Sequence, residues 1–201
     1  MIIRKKFKFE GAHIVRDCSS DRCKKSLHGH SYVVEVFLTS NKLDFGQMIY
    51  DFGLTKGTIK DIIDSFDHAY AMWNKESDNF KSFIKANSDR YIIMPVSPSA
   101  ECFSLALLFM IDKILQATAF KNGEGEVSVK SVRVHETETG YAEAFRDDLE
   151  WFRFSLEDIV FSPAIKDEWN DPEMYDKLTS FHSKKSGTKP FVNPIVERKF
   201  E

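Results

Sequence analysis

The sequence has 201 residues, of which 42% are hydrophobic and 29% charged, and its formal net charge is −3. This composition predicts an ordinary globular protein that is large enough to bury a core, and its mildly acidic balance argues against nucleic acid and anionic membranes as partners. No apolar segment is long enough to cross a bilayer, and three cysteines without a secretory signal predict reduced thiols and a cytoplasmic location.

The first half of the chain predicts two strands and then a helix. A strand begins at Ile2 and runs into Gly11-Ala12-His13. The polar, cysteine-bearing residues 17–25 predict a loop, and the β-branched and aromatic run Ser31–Thr39 predicts the second strand. From Gly53 to Phe66 the apolar residues recur at helical spacing, which predicts the first helix.

The second half predicts another helix and two further strands. The helix spans Glu101–Thr118, with Ser99 as its N-cap. Valines alternate between Val127 and His135 as in a strand, and the break in that alternation after Lys130 predicts a β-bulge. Residues Tyr141–Phe145 are the last predicted core strand.

The order β-β-α-α-β-β predicts an α+β fold in which an antiparallel sheet carries both helices on one face. The composition changes after Arg146, where prolines and charged residues become frequent. We therefore expect residues 1–146 to form the main domain. Residues 147–201 would be a C-terminal extension that packs on this domain or on a neighbouring subunit.

Three of the six histidines fall into one potential metal site. In His28-Gly29-His30 the two imidazoles point to the same face of a strand, and His13 ends the preceding strand. If those strands pair antiparallel, three neutral imidazoles meet and leave a fourth position open, as in catalytic zinc sites. A second interpretation is a structural Cys2His2 knuckle made by Cys18, Cys23, His28 and His30, which would stabilise a binding module without enzymatic activity.

Other polar residues have the chemistry of an active site, each with an ordinary structural alternative. Cys23 lies in a polar loop just before the histidine pair, where a cation would favour the nucleophilic thiolate, and Cys18 stays open for the same role. Asp67-His68 suits proton transfer or a solvated helix end. Either Glu136 or Glu138 could accept two N–H bonds from the edge of a guanidine-like ring.

Six short motifs occur in one order along the first three quarters of the chain. They are Phe9-Glu10-Gly11-Ala12-His13, a Cys before Leu27-His28-Gly29-His30-Ser31-Tyr32, Tyr50-Asp51-Phe52, Phe66-Asp67-His68, Pro98-Ser99-Ala100-Glu101 and Val134-His135-Glu136-Thr137. Each is weak alone, but together they resemble the family of the 6-pyruvoyltetrahydropterin and 6-carboxytetrahydropterin synthases, over residues 2–144.

The resemblance implies the tunnelling fold, in which oligomerisation joins the sheets into a barrel and places active sites between subunits, typically as stacked trimers forming a homohexamer. It also implies a small-molecule pterin substrate, 7,8-dihydroneopterin triphosphate, and a zinc cofactor. The resemblance assigns zinc ligation to His13, His28 and His30, and general base catalysis to Cys23. It assigns the proton relay to Asp67 and His68, and pterin binding to Glu136 with Ser99 nearby.

The spacing of Cys23 departs from the family pattern. Four residues separate it from His28, whereas three are usual in the queuosine-pathway enzymes and five in the biopterin-pathway enzymes. The segment Leu27–Ser31 resembles the queuosine branch more closely, so we expect the products 6-carboxytetrahydropterin, acetaldehyde and triphosphate. The alternative is 6-pyruvoyltetrahydropterin by elimination of triphosphate. An aldolase-like branch has Glu in place of the Cys, and Cys23 argues against it.

Overall fold

A computed structural model of the chain describes residues 1–150, 154–184 and 187–197. Its strands are β1 (Ile2–His13), β2 (His28–Thr39), β3 (Ala69–Trp73), β4 (Tyr91–Met94), β5 (Thr118–Ala119), β6 (Ser128–His135), β7 (Tyr141–Phe145), β8 (Val160–Phe161) and β9 (Phe191–Val192). Its α-helices are α1 (Asp21–Lys25), α2 (Thr58–Asp64), α3 (Asp78–Asn87), α4 (Ala100–Gln116), α5 (Pro163–Asp167) and α6 (Met174–Lys184).

One seven-stranded sheet organises the molecule, in the order β7-β6-β2-β1-β3-β4-β8. The strands predicted from the sequence, β1, β2, β6 and β7, are confirmed and pair antiparallel. The prediction of a wholly antiparallel sheet is wrong, because β3 runs parallel to β1 and β4 runs parallel to β3. The helix α3 connects β3 to β4, and such a crossover is what a parallel pair requires.

The helices cover both faces of this sheet. Both α2 and α4, the predicted helices, lie on one face, where α4 packs on β6 and β7 and α2 packs on β1. The prediction that the helices occupy one face is incomplete, since α3 packs on the opposite face. There Phe80 and Ile84 contact a second apolar cluster that includes Tyr70 and Met72 of β3.

Two local features adjoin the predicted strands. The predicted bulge is confirmed in β6, where Phe37 pairs with Ser131 and Leu38 with Val129, so that Lys130 is the extra residue. The predicted loop before β2 instead contains the five-residue helix α1, in which Asp21 forms ion pairs with the two lysines of the last turn. Pairs at this spacing stabilise a helix modestly.

The described residues beyond 146 pack against the rest of the chain. Strand β8 pairs with β4 and β9 pairs with β5. The side chains of Trp169, Met174 and Leu178 are buried within the main apolar cluster. In the described part of the chain, no helix combines the length and the apolar character needed to span a membrane.

Candidate metal centre and its pocket

The pairing of β1 with β2 brings three histidines together at one end of the sheet. His13 pairs directly with His28, and His30 lies two residues farther along the same face of β2. Their ligand atoms all lie within 4.8 Å of one another, and no other group of three His, Cys, Asp or Glu in the described chain has metal-binding geometry. Gly29 permits this approach, because a Cβ there would lie 2.7 Å from the Gly11 carbonyl oxygen.

Backbone carbonyls fix which nitrogen two of these rings present. The Nδ1 atoms of His13 and His28 lie 2.5 and 2.9 Å from the carbonyl oxygens of Pro98 and Ser26. A carbonyl only accepts, so each Nδ1 carries the proton and Nε2 is left free to bind a cation. Burial lowers the pKa of His13 to about 4, although the hydrogen bond to the Pro98 carbonyl opposes this effect. The low pKa keeps the imidazole neutral, as a metal ligand must be.

The donor set fits a zinc ion. Three neutral imidazoles are borderline-soft ligands that suit Zn²⁺, and one coordination position would stay open for substrate or water. Cys18 and Cys23 are not members of the group. The geometry therefore favours the three-histidine site over the Cys2His2 knuckle.

Several of the predicted site residues share a pocket of about 360 Å³ beside the histidines. It is lined by Cys18, Cys23, His28, Ser99 and Glu136, among others. The Oε1 atom of Glu136 lies 3.6 Å from Nε2 of His13 and 3.8 Å from Nε2 of His30. Of the two predicted candidates, Glu136 lines this pocket and Glu138 does not. Ser99 reaches the pocket as the N-cap of α4, where its hydroxyl accepts from the backbone N–H of Cys102.

The sequence interpretation gave no role to Tyr32, which the structure places in the site. Tyr32 is 1% exposed. Its hydroxyl lies 3.3 Å from both ring nitrogens of His13 and 3.5 Å from Oε1 of Glu136. Burial, followed by the nearby Glu136 carboxylate, raises the pKa of Tyr32 far above its usual value, so the hydroxyl keeps its proton. The strand alternation that aligns His28 with His30 also aligns Tyr32, so this signal was present in the sequence.

The Asp67–His68 pair lies elsewhere in the chain. The Nδ1 of His68 is 3.0 Å from Oδ2 of Asp67, and Oδ1 of Asp67 accepts from the backbone N–H of Glu10 at 2.7 Å. Burial raises the pKa of Asp67, but these two hydrogen bonds, together with the charges of His68 and Arg90, outweigh it and hold the pKa below its usual value. The side chain of His68 is 74% exposed, and its backbone adopts the left-handed conformation with φ of 51°.

His68 lines a second pocket, of about 550 Å³, together with Glu10, Ser31 and Tyr70. Glu10 and Ser31 alternate with the buried residues of β1 and β2 and therefore face away from α2 and α4. Of the three clustered histidines, only His30 also borders this second pocket. Within one chain, His68 and Cys23 thus line different pockets.

Comparison with known proteins places the chain among pterin enzymes. The family model described as 6-pyruvoyl tetrahydropterin synthase matches residues 2–147. A 6-carboxy-5,6,7,8-tetrahydropterin synthase from Helicobacter pylori strain J99 is 44% identical over an alignment of 194 residues, which covers 92% of this chain and 97% of the relative. The enzyme of the same name from Aquifex aeolicus is 30% identical over 135 residues, 66% of this chain and 82% of the relative.

Solved structures support the same fold. An uncharacterized protein from Wolinella succinogenes superimposes with a TM-score of 0.56 at 21% identity, over 73% of this chain and 98% of that one. A catalytic-residue mutant of Plasmodium vivax 6-pyruvoyltetrahydropterin synthase gives 0.51 at 20% identity, over the same shares. At these identities the likeness concerns the fold alone.

Proposed function

The chain belongs to the 6-pyruvoyl tetrahydropterin synthase family, and on that premise we propose that it is a lyase, a 6-carboxy-5,6,7,8-tetrahydropterin synthase of queuosine biosynthesis. It would convert 7,8-dihydroneopterin triphosphate to 6-carboxytetrahydropterin, acetaldehyde and triphosphate. The observation that carries the choice of reaction is the 44% identity to a synthase of that name, over nearly the full length of both chains.

The pocket residues have chemistry that suits this reaction. His13, His28 and His30 would hold the cofactor, which we propose is zinc. A bound Zn²⁺ would act as a Lewis acid on substrate oxygens. The Sγ atom of Cys23 would remove a proton from the substrate, and the Glu136 carboxylate would accept N–H bonds from the pterin edge.

We further propose that the site is completed between subunits. Strand β1 pairs with β3 only at Gly11–His13, so in the described chain the edge from Ile2 to Phe9 has no partner on that side, and β7 ends the sheet at the opposite side. Such edges pair readily with another strand, which would join sheets into a ring. The Asp67–His68 pair of one subunit would then serve the Cys23 pocket of its neighbour.

Subunit mixing tests this arrangement. We expect Cys23→Ala and His68→Ala each to lack activity, and the two proteins unfolded and refolded together to regain activity in about a quarter of the sites, those that take both intact residues from different chains. A refolded mixture with the mass of the parent oligomer and no activity would contradict shared sites. Each variant refolded alone is the control.

A product assay tests the reaction itself. Zinc-loaded protein is given 7,8-dihydroneopterin triphosphate, and products are read by mass spectrometry with a trap for acetaldehyde. We expect 6-carboxytetrahydropterin and trapped acetaldehyde in equal amounts. Accumulation of 6-pyruvoyltetrahydropterin would support the proposed active site but show that the reaction is elimination of triphosphate. A folded, metal-loaded protein without turnover would favour the binding module.

A further inference from the structure

The helix that carries Cys23 has little to hold it in place by itself. None of the five described residues of α1 is buried, and Ser20 gives its N-terminus no side-chain hydrogen bond in the described structure. A helix this short is unstable in isolation, because the cost of forming its first turn is not recovered. The position of Cys23 relative to the histidines must therefore come from contacts outside α1.

Two hydrogen bonds to backbone carbonyls of α1 supply that position, and both donors lie in the segment that follows β1. The N–H of Val15 donates to the carbonyl oxygen of Cys23 at 3.1 Å. The guanidinium Nη1 of Arg16 donates to the carbonyl oxygen of Lys24, also at 3.1 Å. Since β1 ends at His13, these contacts join the helix to the strand that carries a proposed metal ligand.

Arg16 is itself held by a side chain from another part of the fold. Its Nε and Nη2 atoms donate to the two carboxylate oxygens of Glu76 at 2.8 and 3.3 Å, and the Glu76 side chain is only 7% exposed. The guanidinium also lies over the ring of Phe80, 5.3 Å from its centroid. A two-pronged contact of this kind fixes both the direction and the plane of the guanidinium.

We propose that Arg16 and Glu76 are positioning residues that set the location of Cys23 in the pocket. Glu76 fixes the guanidinium, the guanidinium fixes the Lys24 carbonyl, and this carbonyl belongs to the residue after Cys23. The link to catalysis rests on the proposed function, in which the Cys23 thiolate must lie within reach of a substrate proton. Lysine cannot replace Arg16, because a single ammonium does not span the Glu76 carboxylate and the Lys24 carbonyl in one plane.

The test compares Arg16→Ala, Arg16→Lys and Glu76→Gln with Arg22→Gln, which removes an exposed positive charge from α1 itself. We expect Arg16→Ala to lower kcat about 100-fold with KM and zinc content near the parent values, since a displacement of about 1 Å costs that much. Arg16→Lys should fall close to Arg16→Ala, and Arg22→Gln should stay within about twofold of the parent.

Alkylation of Cys23 by iodoacetamide near pH 10, resolved by mass spectrometry from that of Cys18 and Cys102, needs no substrate. Because parent and variant are compared at the same pH, the difference in rate reports access of the reagent to the Cys23 side chain, and we expect about a tenfold rise in Arg16→Ala as α1 loosens. Unchanged kcat and unchanged Cys23 alkylation in Arg16→Ala would overturn the proposal, as would equal effects in Arg22→Gln. If Arg16→Ala does not fold, Glu76→Gln carries the same comparison, and if the parent shows no turnover, alkylation alone decides.

Discussion

Among the three proposed metal ligands, His13 is the most constrained. It is fully buried, its Nδ1 is bound to the Pro98 carbonyl, and its ring stacks on Phe103 with 18° between the planes. The other two histidines are half-buried on β2. His13 is therefore the ligand that separates the three-histidine site from the Cys2His2 knuckle, in which it has no part.

We predict that His13→Ala weakens zinc binding by more than about 100-fold, since it removes a ligand rather than an outer partner. Zinc affinity measured by competition with a chromogenic chelator checks this. The matched control is Cys18→Ser, whose zinc affinity should equal that of the parent. The opposite pattern, with Cys18 needed and His13 dispensable, would restore the knuckle.

A second prediction concerns which cysteine acts. Cys18 and Cys23 line the same pocket, and both are half-buried, so proximity alone does not separate them. Cys18 donates to the carbonyl of Ser20 within its own loop, whereas Cys23 lies on the helix that Arg16 fastens. We expect Cys23→Ala to lose turnover by at least about 100-fold while keeping its zinc, and Cys18→Ala to keep both. Turnover retained in Cys23→Ala would move the base to another residue.

For single residues, the alternation of a strand allowed the sequence to predict which side chains share a face. Residues two apart on β2 share a face, so the grouping of His28 and His30 followed once the strand was recognised. Such reasoning could not predict that His68 lines a different pocket from Cys23. It depends on β3 joining the sheet beside β1, which no spacing in the sequence indicates.

Among the elements, β6 offers a direct test of the bulge. Lys130 is exposed and has no partner residue on β2, and the valines on both sides of it point into the core. Removing Lys130 therefore leaves Val127, Val129, Val132 and Val134 on one face. Removing Arg133 instead shifts the preceding part of β6 by one residue. The side chains of that part then point to the opposite face of the sheet, because a shift of one residue exchanges the faces of a strand.

We predict that deletion of Lys130 costs at most about 2 kcal/mol of unfolding free energy, from loss of the local bend. Deletion of Arg133 should prevent folding. Chemical denaturation of the two deletion variants beside the parent measures the difference. Equal loss in both would mean that the extra residue is itself needed for the sheet.

Among the elements that escaped prediction, β3 and α3 did so for different reasons. In β3 four of the five residues are buried on both faces of the sheet, so no alternation marks it, and its two alanines are weak strand formers. In α3 the signal was present, with Ser77 as N-cap and Phe80, Phe83 and Ile84 at helical spacing. Once these two elements are known, the parallel part of the sheet follows.

At the scale of the whole molecule, the residues after 146 build the core instead of merely covering it. Seven large apolar side chains from this part are buried in the same cluster as the sheet and α4: Leu156, Ile159, Phe161, Ile165, Trp169, Met174 and Leu178. The indole N–H of Trp169 donates to the hydroxyl of Ser65, which follows α2. Composition alone suggested an extension because the prolines and charges there outnumber the scattered apolar residues.

The last described residues add a polar fastening. Asn193, 7% exposed, accepts from the Tyr50 hydroxyl and donates to Glu124, while Asn122 contacts the Pro194 carbonyl and the Val196 N–H. Buried polar groups that satisfy one another in this way are costly to break singly. The segment around β9 should therefore contribute to stability beyond its two paired residues.

We predict from this that a chain ending at residue 150 does not fold, and that one ending at residue 187 folds with reduced stability. Each buried apolar side chain contributes about 1.5–3 kcal/mol, so losing seven removes an amount comparable with the whole stability of a typical domain, about 5–15 kcal/mol. The longer truncation keeps those seven and loses β9 with its polar contacts. Thermal unfolding followed by circular dichroism ranks the three proteins, with Asn193→Ala in the full chain to isolate the polar contribution. A cooperative transition in the shorter truncation, at the melting temperature of the full chain, would contradict this prediction. It would mean that residues 1–150 fold as a domain by themselves and that the buried contacts of the later helices stabilise only those helices.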